Sequence, residues 1–248
     1  MTAPNIKVAH AFTTRFGGVS HGIYSSMNLG VNSGDDPVCV RENFSLLCNA
    51  LDVEAEDIVC SRQVHSIRIR TVTREDRGEI FYSSPHEADG LITSEKGVAL
   101  IVFTADCVPI LLHDPVRGVI GAVHAGWRGT TRDIAGTAIS IMTAGFRCVP
   151  SDISAAIGPC ISKCCYETGQ DVVAALDKTF PAASEKCVKM RGPKYMVDLK
   201  EINRLLLLRA GLRDITISDE CTSCLSDKYW SHRKTNGKRG SQAALIKL

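Results

Sequence analysis

The sequence predicts a mixed α/β fold, and three observations lead to this class. Short apolar segments of strand length alternate with segments whose apolar residues recur every three to four positions. Two central apolar segments, 108–112 and 119–123, are joined by a turn that begins Asp114-Pro115, which predicts an antiparallel hairpin. No linker is visible within the 248 residues, so we expect one domain spanning residues 1–248.

Each predicted strand is a short apolar run bounded by turn residues. The predicted strands are 8–13, 58–61, 67–72, 98–103, 108–112, 119–123, 153–157, 215–218 and 243–247. The predicted helices are 37–51, 131–144, 171–180 and 199–210. The first begins at Asp36, ahead of Pro37, and Gly145 is expected to end the second. Asp198 and Glu201 form a capping pair at the start of the last helix.

Composition excludes several classes of partner and location. The 29 basic and 27 acidic residues give a net charge of +2, so no broad basic field favours nucleic acid. The most apolar stretch, 98–112, contains Asp106 and Pro109 and is too short to span a bilayer. The first residues lack the regions of a signal peptide, and the cysteine count of 11 is odd. We therefore expect reduced thiols and a cytoplasmic protein without a membrane partner.

Three segments place a metal-ligand residue at a strand end or turn. His65 follows Gln63-Val64 between two predicted strands, Cys107 follows the run 98–103, and His124 ends the second hairpin strand. Two imidazoles and one thiolate suit Zn²⁺ and leave a fourth position open, where the pKa of bound water falls to about 7.

Two other interpretations of these residues stay open. The spacing matches no local zinc finger, since 41 residues separate His65 from Cys107 and 16 separate Cys107 from His124. The same residues could simply pack in the core. Alternatively, Cys107 is a nucleophile and His124 its base, with no metal.

Arginines in glycine-rich turns are candidate anion ligands. Two glycines flank Trp127 and Arg128 where a strand leads into a helix, and backbone N–H groups at such a junction bind anions. Arg15 precedes a Gly-Gly turn and suits phosphate or carboxylate, and the C-terminal segment 231–233 adds further polar groups. The alternative is that these are solvated loops.

A second group of cysteines lies outside the three segments that contain His65, Cys107 and His124. Residues 221–224 form a Cys-x-x-Cys, and Cys160, Cys164 and Cys165 follow a Gly-Pro turn. Together they could hold a structural zinc or form a redox pair. The alternative is that they are packed or incidental thiols.

Several motifs in one order carry a family resemblance. They are TTRFGGVS, RQVH, EADGLIT, TADCVPILLHD, AVHAGWRGT, IGPCISKCCYE and SHR before QAALIKL. Over nearly the whole chain they resemble the laccase-domain family, also called multicopper polyphenol oxidoreductase-like. That family includes zinc-dependent purine nucleoside phosphorylases and a peptidoglycan editing factor. The resemblance implies a single-domain α/β/β/α sandwich with mixed sheets. This fold is similar to the catalytic fold of cytotoxic necrotizing factor, a Cys-His deamidase.

The resemblance also assigns roles to individual positions. The His of QVH, the Cys of TADC and the first His of HAGWRG are implied as zinc ligands, here His65, Cys107 and His124. The remaining implied site residues are polar groups near the metal or substrate: Asp89, Arg15, Arg128 and His232. Asp89 is implied as a catalytic group, and Arg15, Arg128 and His232 as substrate- or phosphate-binding residues, with Arg15 binding phosphate or an anionic substrate group. Ser66 stands where a glycine often follows the histidine, which we expect to change loop flexibility and not a ligand.

The implied activity is phosphorolysis of adenosine, inosine, guanosine or methylthioadenosine, with deamination of adenosine at the same site. Its partners would be a purine nucleoside and phosphate, and its cofactor Zn²⁺. The alternative within the family is an editing amidase acting on a UDP-muramyl-amino acid precursor.

Two further alternatives come from other classes. A copper polyphenol oxidase could use a His₂Cys copper site, but the chain has no His-x-His pair for a trinuclear cluster. A non-enzymatic domain would use its Cys and His residues only for packing.

Overall fold

The computed structural model describes residues 1–78 and 86–248. Its strands are β1 His10–Phe12, β2 Ile58–Val59, β3 Ile69–Thr71, β4 Gly90–Thr93, β5 Ala99–Thr104, β6 Val108–Asp114, β7 Val119–Ala125, β8 Ser154–Ile157, β9 Glu167–Thr168, β10 Val188–Arg191, β11 Lys194–Val197, β12 Asp214–Ile217 and β13 Gln242–Lys247. Its α-helices are α1 Pro37–Leu51, α2 Trp127–Thr130, α3 Ile134–Phe146, α4 Gln170–Thr179, α5 Pro181–Cys187, α6 Leu199–Arg209 and α7 His232–Thr235.

Two mixed sheets form the centre of the fold. One has the strand order β1-β13-β5-β2, and the other has the order β12-β8-β6-β7-β4-β3. Both contain parallel and antiparallel neighbours: β2 runs parallel to β5, and β3 runs parallel to β4. A small antiparallel sheet, β10-β11-β9, lies outside these two. The expectation of a mixed α/β fold with mixed sheets is confirmed.

Alternation along β6 shows how the layers stack. Successive side chains of a strand point to opposite faces of its sheet. Ile110 and Leu112 are buried among residues of α3 and α6, whereas Leu111 is buried among residues of the other sheet. The same six-stranded sheet thus packs against helices on one face and against the four-stranded sheet on the other. A helical layer, two sheets and a second helical layer result.

Helix α1 covers the free face of the four-stranded sheet. Val40, Phe44 and Leu47, which recur at helical spacing, pack there against buried residues of β5 and β13. The side chain of Asp36 accepts a hydrogen bond from the Val38 N–H, so the predicted helix start is confirmed. α1 has 15 residues and is the longest helix described; no helix in the described residues has the length and apolar character to cross a membrane.

The predicted central hairpin is confirmed. β6 and β7 pair antiparallel from Val108, opposite Ala125, to Asp114, opposite Val119. This pairing is antiparallel with a short turn, as the Asp-Pro sequence predicts. Because Pro109 lies opposite His124, the residue just before β6 is placed beside this histidine.

Some predicted boundaries are wrong. The predicted helix 131–144 is α3, which starts at Ile134 because the side chain of Asp133 accepts the Gly136 N–H. It also continues past Gly145, and Arg147, with φ of 57°, provides the left-handed end. Pro181 not only follows α4 but begins α5, since proline fits the first turn of a helix.

Four strands in the described residues have no counterpart among the sequence predictions. They are β4 and the three strands of the small sheet, β9, β10 and β11. Most residues of β10 and β11 are exposed or half-buried, so they lack the apolar run by which strands are recognised in a sequence. β4 has only four residues and follows directly on the turn that contains Asp89.

Candidate metal and substrate site

The hairpin brings Cys107 and His124 together. His124 lies in β7 opposite Pro109, and Cys107 immediately precedes β6. The turn before Cys107 requires an unusual backbone at Asp106, whose φ is 85°. Its carboxylate accepts hydrogen bonds from the Thr222 hydroxyl at 2.7 Å and the Arg233 N–H at 2.6 Å. These bonds hold the turn that presents Cys107.

His65 reaches the same place from a separate turn. The side-chain amide of Gln63 donates to the Phe103 carbonyl and accepts from the Phe103 N–H, both at 2.7 Å. Gln63 thereby pairs with the end of β5 as a strand residue would. His65, with φ of 56°, then points its Nε2 toward Cys107, at 3.8 Å from Sγ.

Asp89 fixes the position of this turn and of His124. Its carboxylate accepts the backbone N–H groups of Val64, His65 and Ser66 at 3.3, 3.0 and 2.6 Å. The Ser66 hydroxyl donates to it at 2.7 Å, a bond that a glycine at this position would lack. His124 Nδ1 lies 2.9 Å from Asp89 Oδ1, which leaves Nε2 of His124 for the site.

The pKa values of Asp89, Cys107 and His124 depend on one another. Burial alone would raise the pKa of Asp89, but hydrogen bonds from His124 and Ser66 lower it to about 2. Burial likewise opposes ionisation of Cys107, yet the nearby charge of His124 lowers the thiol pKa to about 6. Burial would lower the pKa of His124, but Cys107 and Asp89 raise it to about 9. The directions of these two pKa shifts favour a thiolate next to an imidazolium, which also fits the nucleophile interpretation.

The three candidate ligands fit a zinc ion. One ligand atom from each of His65, Cys107 and His124 lies within 4.8 Å of the others. Bonds of about 2.3 Å to sulfur and 2.0–2.1 Å to nitrogen place tetrahedral ligand atoms about 3.5 Å apart. A Cβ on Gly126 would lie 2.8 Å from Cδ2 of His65 and 3.2 Å from Cys107 Sγ. Gly126, which has no side chain, therefore leaves space beside His65 and Cys107.

The three residues line a cavity of about 670 Å³, within the size range of small-molecule sites. Its walls combine aromatic and basic side chains. These are Phe103, Trp127, Tyr166, Arg62, Arg128, Arg233, Arg239 and His232. Flat apolar rings suit a planar base, and several cations suit an anionic group.

The structure brings most of the expected site residues together. His65, Cys107, His124, Arg128 and His232 all line the cavity. The guanidinium of Arg128 lies 4.3 Å above the Trp127 ring. Asp89 lies beneath the site, fully buried. The catalytic and binding roles of these residues stay predictions.

Arg15 is not brought to this group and is not among the described residues that line the cavity. Its guanidinium donates to the backbone carbonyl of Ser25 at 2.7 and 3.1 Å and to that of Ser226 at 2.8 Å. It also stacks 4.0 Å from the Trp230 ring. With its donors engaged in this way, Arg15 holds two loops together.

Sequence reasoning missed Arg239, Tyr166 and Asp106. Arg239 and Tyr166 line the cavity, and Asp106 supports the turn before Cys107. Tyr166 directly follows the Cys164-Cys165 pair, and Arg239 lies in a turn between Gly237 and Gly240. No local pattern indicates that these turns meet, because only the sheet topology brings them together.

Known proteins resemble the chain along nearly its whole length. A family model described as multi-copper polyphenol oxidoreductase laccase matches residues 9–248. The purine nucleoside phosphorylase YlmD of Geobacillus stearothermophilus is 42% identical over 94% of this chain and 88% of its own. Its crystal structure superposes with a TM-score of 0.94 at 40% identity, covering 99% of this chain and 93% of that one. Adenosine deaminase RL5, from an unknown prokaryotic organism, is 34% identical over 94% of this chain and 91% of its own.

Proposed function

Because the chain belongs to the multi-copper polyphenol oxidoreductase laccase family and the proteins similar to it are named as enzymes, we propose that it is a zinc-dependent purine nucleoside phosphorylase. One observation carries the proposal. His65, Cys107 and His124 converge in the wall of a cavity whose other walls are aromatic and basic. The proposed substrates are phosphate and adenosine, inosine, guanosine or methylthioadenosine, and adenosine is also deaminated at the same site.

The proposed metal is Zn²⁺, held by His65, Cys107 and His124 with Asp89 orienting His124. Two neutral imidazoles and a thiolate suit zinc, which when bound would supply Lewis acidity at one end of the cavity. A His₂Cys set also suits copper, and this remains the second choice of metal.

In the proposed phosphorolysis, a phosphate oxygen bonds to C1′ of the ribose while the C1′–N9 bond breaks. The purine leaves with the bonding electrons and takes up a proton. Arg128, His232 and Arg239 line the cavity and are proposed to hold the phosphate by charge-assisted hydrogen bonds. Trp127 and Tyr166 are proposed to cover the base and exclude water. In deamination, water adds at C6 of adenosine and ammonia leaves.

Product analysis tests the proposal. Purified protein given inosine and phosphate should release hypoxanthine and ribose 1-phosphate, and adenosine alone should give inosine and ammonia. Both activities should fall by at least about a hundredfold in His124→Ala. They should also be lost on chelation and return with zinc. His21→Ala, which changes an exposed histidine outside the cavity, should match the wild type.

Other outcomes would identify a different function. Cleavage of a UDP-muramyl-amino acid amide without base release would show the editing amidase. Activity that survives chelation but is lost in Cys107→Ser would show the metal-free Cys-His hydrolase. Several copper ions per chain with oxidation of phenols would show the polyphenol oxidase.

We also propose a cellular location and a domain organisation for the enzyme. We place it in the cytoplasm, where thiols such as Cys107 stay reduced. We propose that residues 1–248 fold as one domain, because buried residues from distant parts of the chain form each layer of the sandwich.

A further inference from the structure

Outside the cavity, four cysteines from two separate loops meet at one point. We propose that Cys164, Cys165, Cys221 and Cys224 bind a second metal ion, a Zn²⁺ held by four thiolates, which fixes one wall of the cavity. Cys164 and Cys165 lie in the loop between β8 and β9, and Cys221 and Cys224 lie in the loop after β12.

The sulfur positions fit a tetrahedral thiolate site. All four Sγ atoms lie within 4.8 Å of one another. The separations are 3.8 Å for Cys164–Cys165, 3.5 Å for Cys164–Cys224 and 3.3 Å for Cys165–Cys224. Bonds of about 2.3 Å from zinc to sulfur would place the sulfurs about 3.8 Å apart. A modest adjustment would bring these thiols to that geometry.

The donor set and its spacing select the metal. Cys221-Thr222-Ser223-Cys224 has the two-residue spacing found in structural zinc sites. Four thiolates are soft ligands and leave no position for water, so the site would be structural. Cys160, though close in sequence, is not part of the group, because its buried Sγ donates to the Ile161 carbonyl.

The backbone around Cys221 is already arranged for a thiolate. The Ser162 N–H lies 3.3 Å from Cys221 Sγ and donates to it. Such donors orient a metal-bound thiolate and offset its charge. The Thr222 N–H also donates to the Cys160 carbonyl at 3.1 Å, so the two loops are joined at this point.

The cluster is linked directly to the cavity wall. The Arg233 guanidinium donates to the Cys165 carbonyl at 3.0 Å and to the Glu167 carbonyl at 2.8 Å. Arg233, Tyr166 and Ile161 line the cavity. On the other side, the Thr222 hydroxyl binds Asp106, next to Cys107. A metal that ties the two loops together therefore fixes both the wall and the turn that presents Cys107.

Elemental analysis of protein purified under reducing conditions tests the inference. We expect about two zinc ions per chain in the wild type and about one in Cys164→Ser/Cys224→Ser. Cys39→Ser, which changes a half-buried thiol in α1, should keep the wild-type content. His124→Ala separates the two sites, because it removes a candidate ligand of the cavity and leaves all four thiols. If the cavity binds no metal, His124→Ala and the wild type will each hold one zinc, and the thiol site stands.

Alkylation of the wild type gives a second test that needs no variant. Cys164 and Cys224 are exposed, so as free thiols both are accessible to iodoacetamide, and a pH high enough to ionise them makes both reactive. We expect both to be protected in the purified protein and to react at least tenfold faster after chelation, whereas Cys39 reacts equally in both states. Equal rates before and after chelation would overturn the inference. So would unchanged metal content in Cys164→Ser/Cys224→Ser, or a disulfide within the cluster in unreduced protein, which would show a redox pair.

Discussion

At the scale of single residues, Asp89 organises the candidate metal site without being one of its ligands. It is fully buried, yet five hydrogen bonds converge on its two oxygens, from three backbone N–H groups, the Ser66 hydroxyl and His124. A buried carboxylate is stable only when it is paired in this way. The same bonds hold the left-handed turn at His65 and set the ring orientation of His124, so one residue positions two ligands.

Asp89→Asn should therefore weaken metal binding while leaving all three ligands present. The amide keeps the shape but loses the charge and presents an NH₂ group to neighbouring donors, so His65 and His124 lose their fixed orientation. We expect affinity for zinc to fall about 10- to 100-fold. Competition with a chromophoric chelator measures this zinc affinity. A Cys164→Ser/Cys224→Ser background removes the thiol site, so only the cavity site is measured.

Asp36→Asn is the matched control for this substitution. It removes a carboxylate of the same size, at the start of α1, and zinc affinity should not change. Wild-type affinity in Asp89→Asn would show that Asp89 does not position the ligands.

At the scale of elements, β6, β7 and α2 follow one another around the site. Cys107 comes just before β6, His124 lies near the end of β7, and Gly126 leads into α2. The pairing of β6 with β7 sets the distance between two ligands, and the neighbouring strand β4 begins directly after Asp89. Strands β4, β6 and β7 thus place the side chains of Asp89, Cys107 and His124, whereas His65 comes from a separate turn.

Gly126→Ala tests whether the space beside the ligands is needed. The added Cβ would lie 2.8 Å from His65 and 3.2 Å from the Cys107 sulfur, so His65 must shift. The φ of Gly126 is −70°, which alanine adopts, so the backbone itself should tolerate the change. We expect a folded protein whose zinc affinity and phosphorolysis both fall at least about tenfold.

Gly145→Ala provides the control, because nothing lies within 4 Å of its added Cβ and it lies within α3. It should keep full activity and gain about 0.5–1 kcal/mol in free energy of unfolding. If Gly126→Ala binds zinc as tightly as the wild type, the ligands do not need this space.

At the scale of the whole molecule, the six-stranded sheet contributes one face to each of two hydrophobic cores. One face is buried against α3 and α6, and the other against β5 and β13. The cavity lies beyond the ends of strands in both sheets, since Phe103 and Thr104 of β5 and His124 of β7 all line it. The position of the site therefore depends on the two sheets being held face to face.

Leu111→Ala should test this arrangement. Leu111 is fully buried between the two sheets, so truncation should lower the free energy of unfolding by about 2–5 kcal/mol. We expect one denaturant transition that coincides by circular dichroism and tryptophan fluorescence. Leu208→Ala, on an exposed position of α6, should change stability by less than about 0.5 kcal/mol. Two separate transitions would contradict a single domain.

Much of the fold could be predicted because its signals are local. The β6–β7 hairpin follows from two apolar runs around an Asp-Pro turn, and α1 follows from Asp36, Pro37 and a helical repeat of apolar residues. The small sheet β9–β11 could not be predicted, because its largely exposed residues show no apolar pattern. The start of α3 differs from the predicted one because Asp133, and not an earlier residue, supplies the cap.

For the candidate site, the residue types that could bind a metal are visible in the amino-acid sequence. His65, Cys107 and His124 stand in turns, and their motifs indicate the family. Three facts depend on the folded chain: the ligand atoms meet, Asp89 accepts a hydrogen bond from His124, and Arg15 faces other loops. The physical reason is that strand pairing joins residues distant in sequence. The meeting of Cys164 and Cys165 with Cys221 and Cys224 depends in the same way on two loops that adjoin neighbouring strands, β8 and β12.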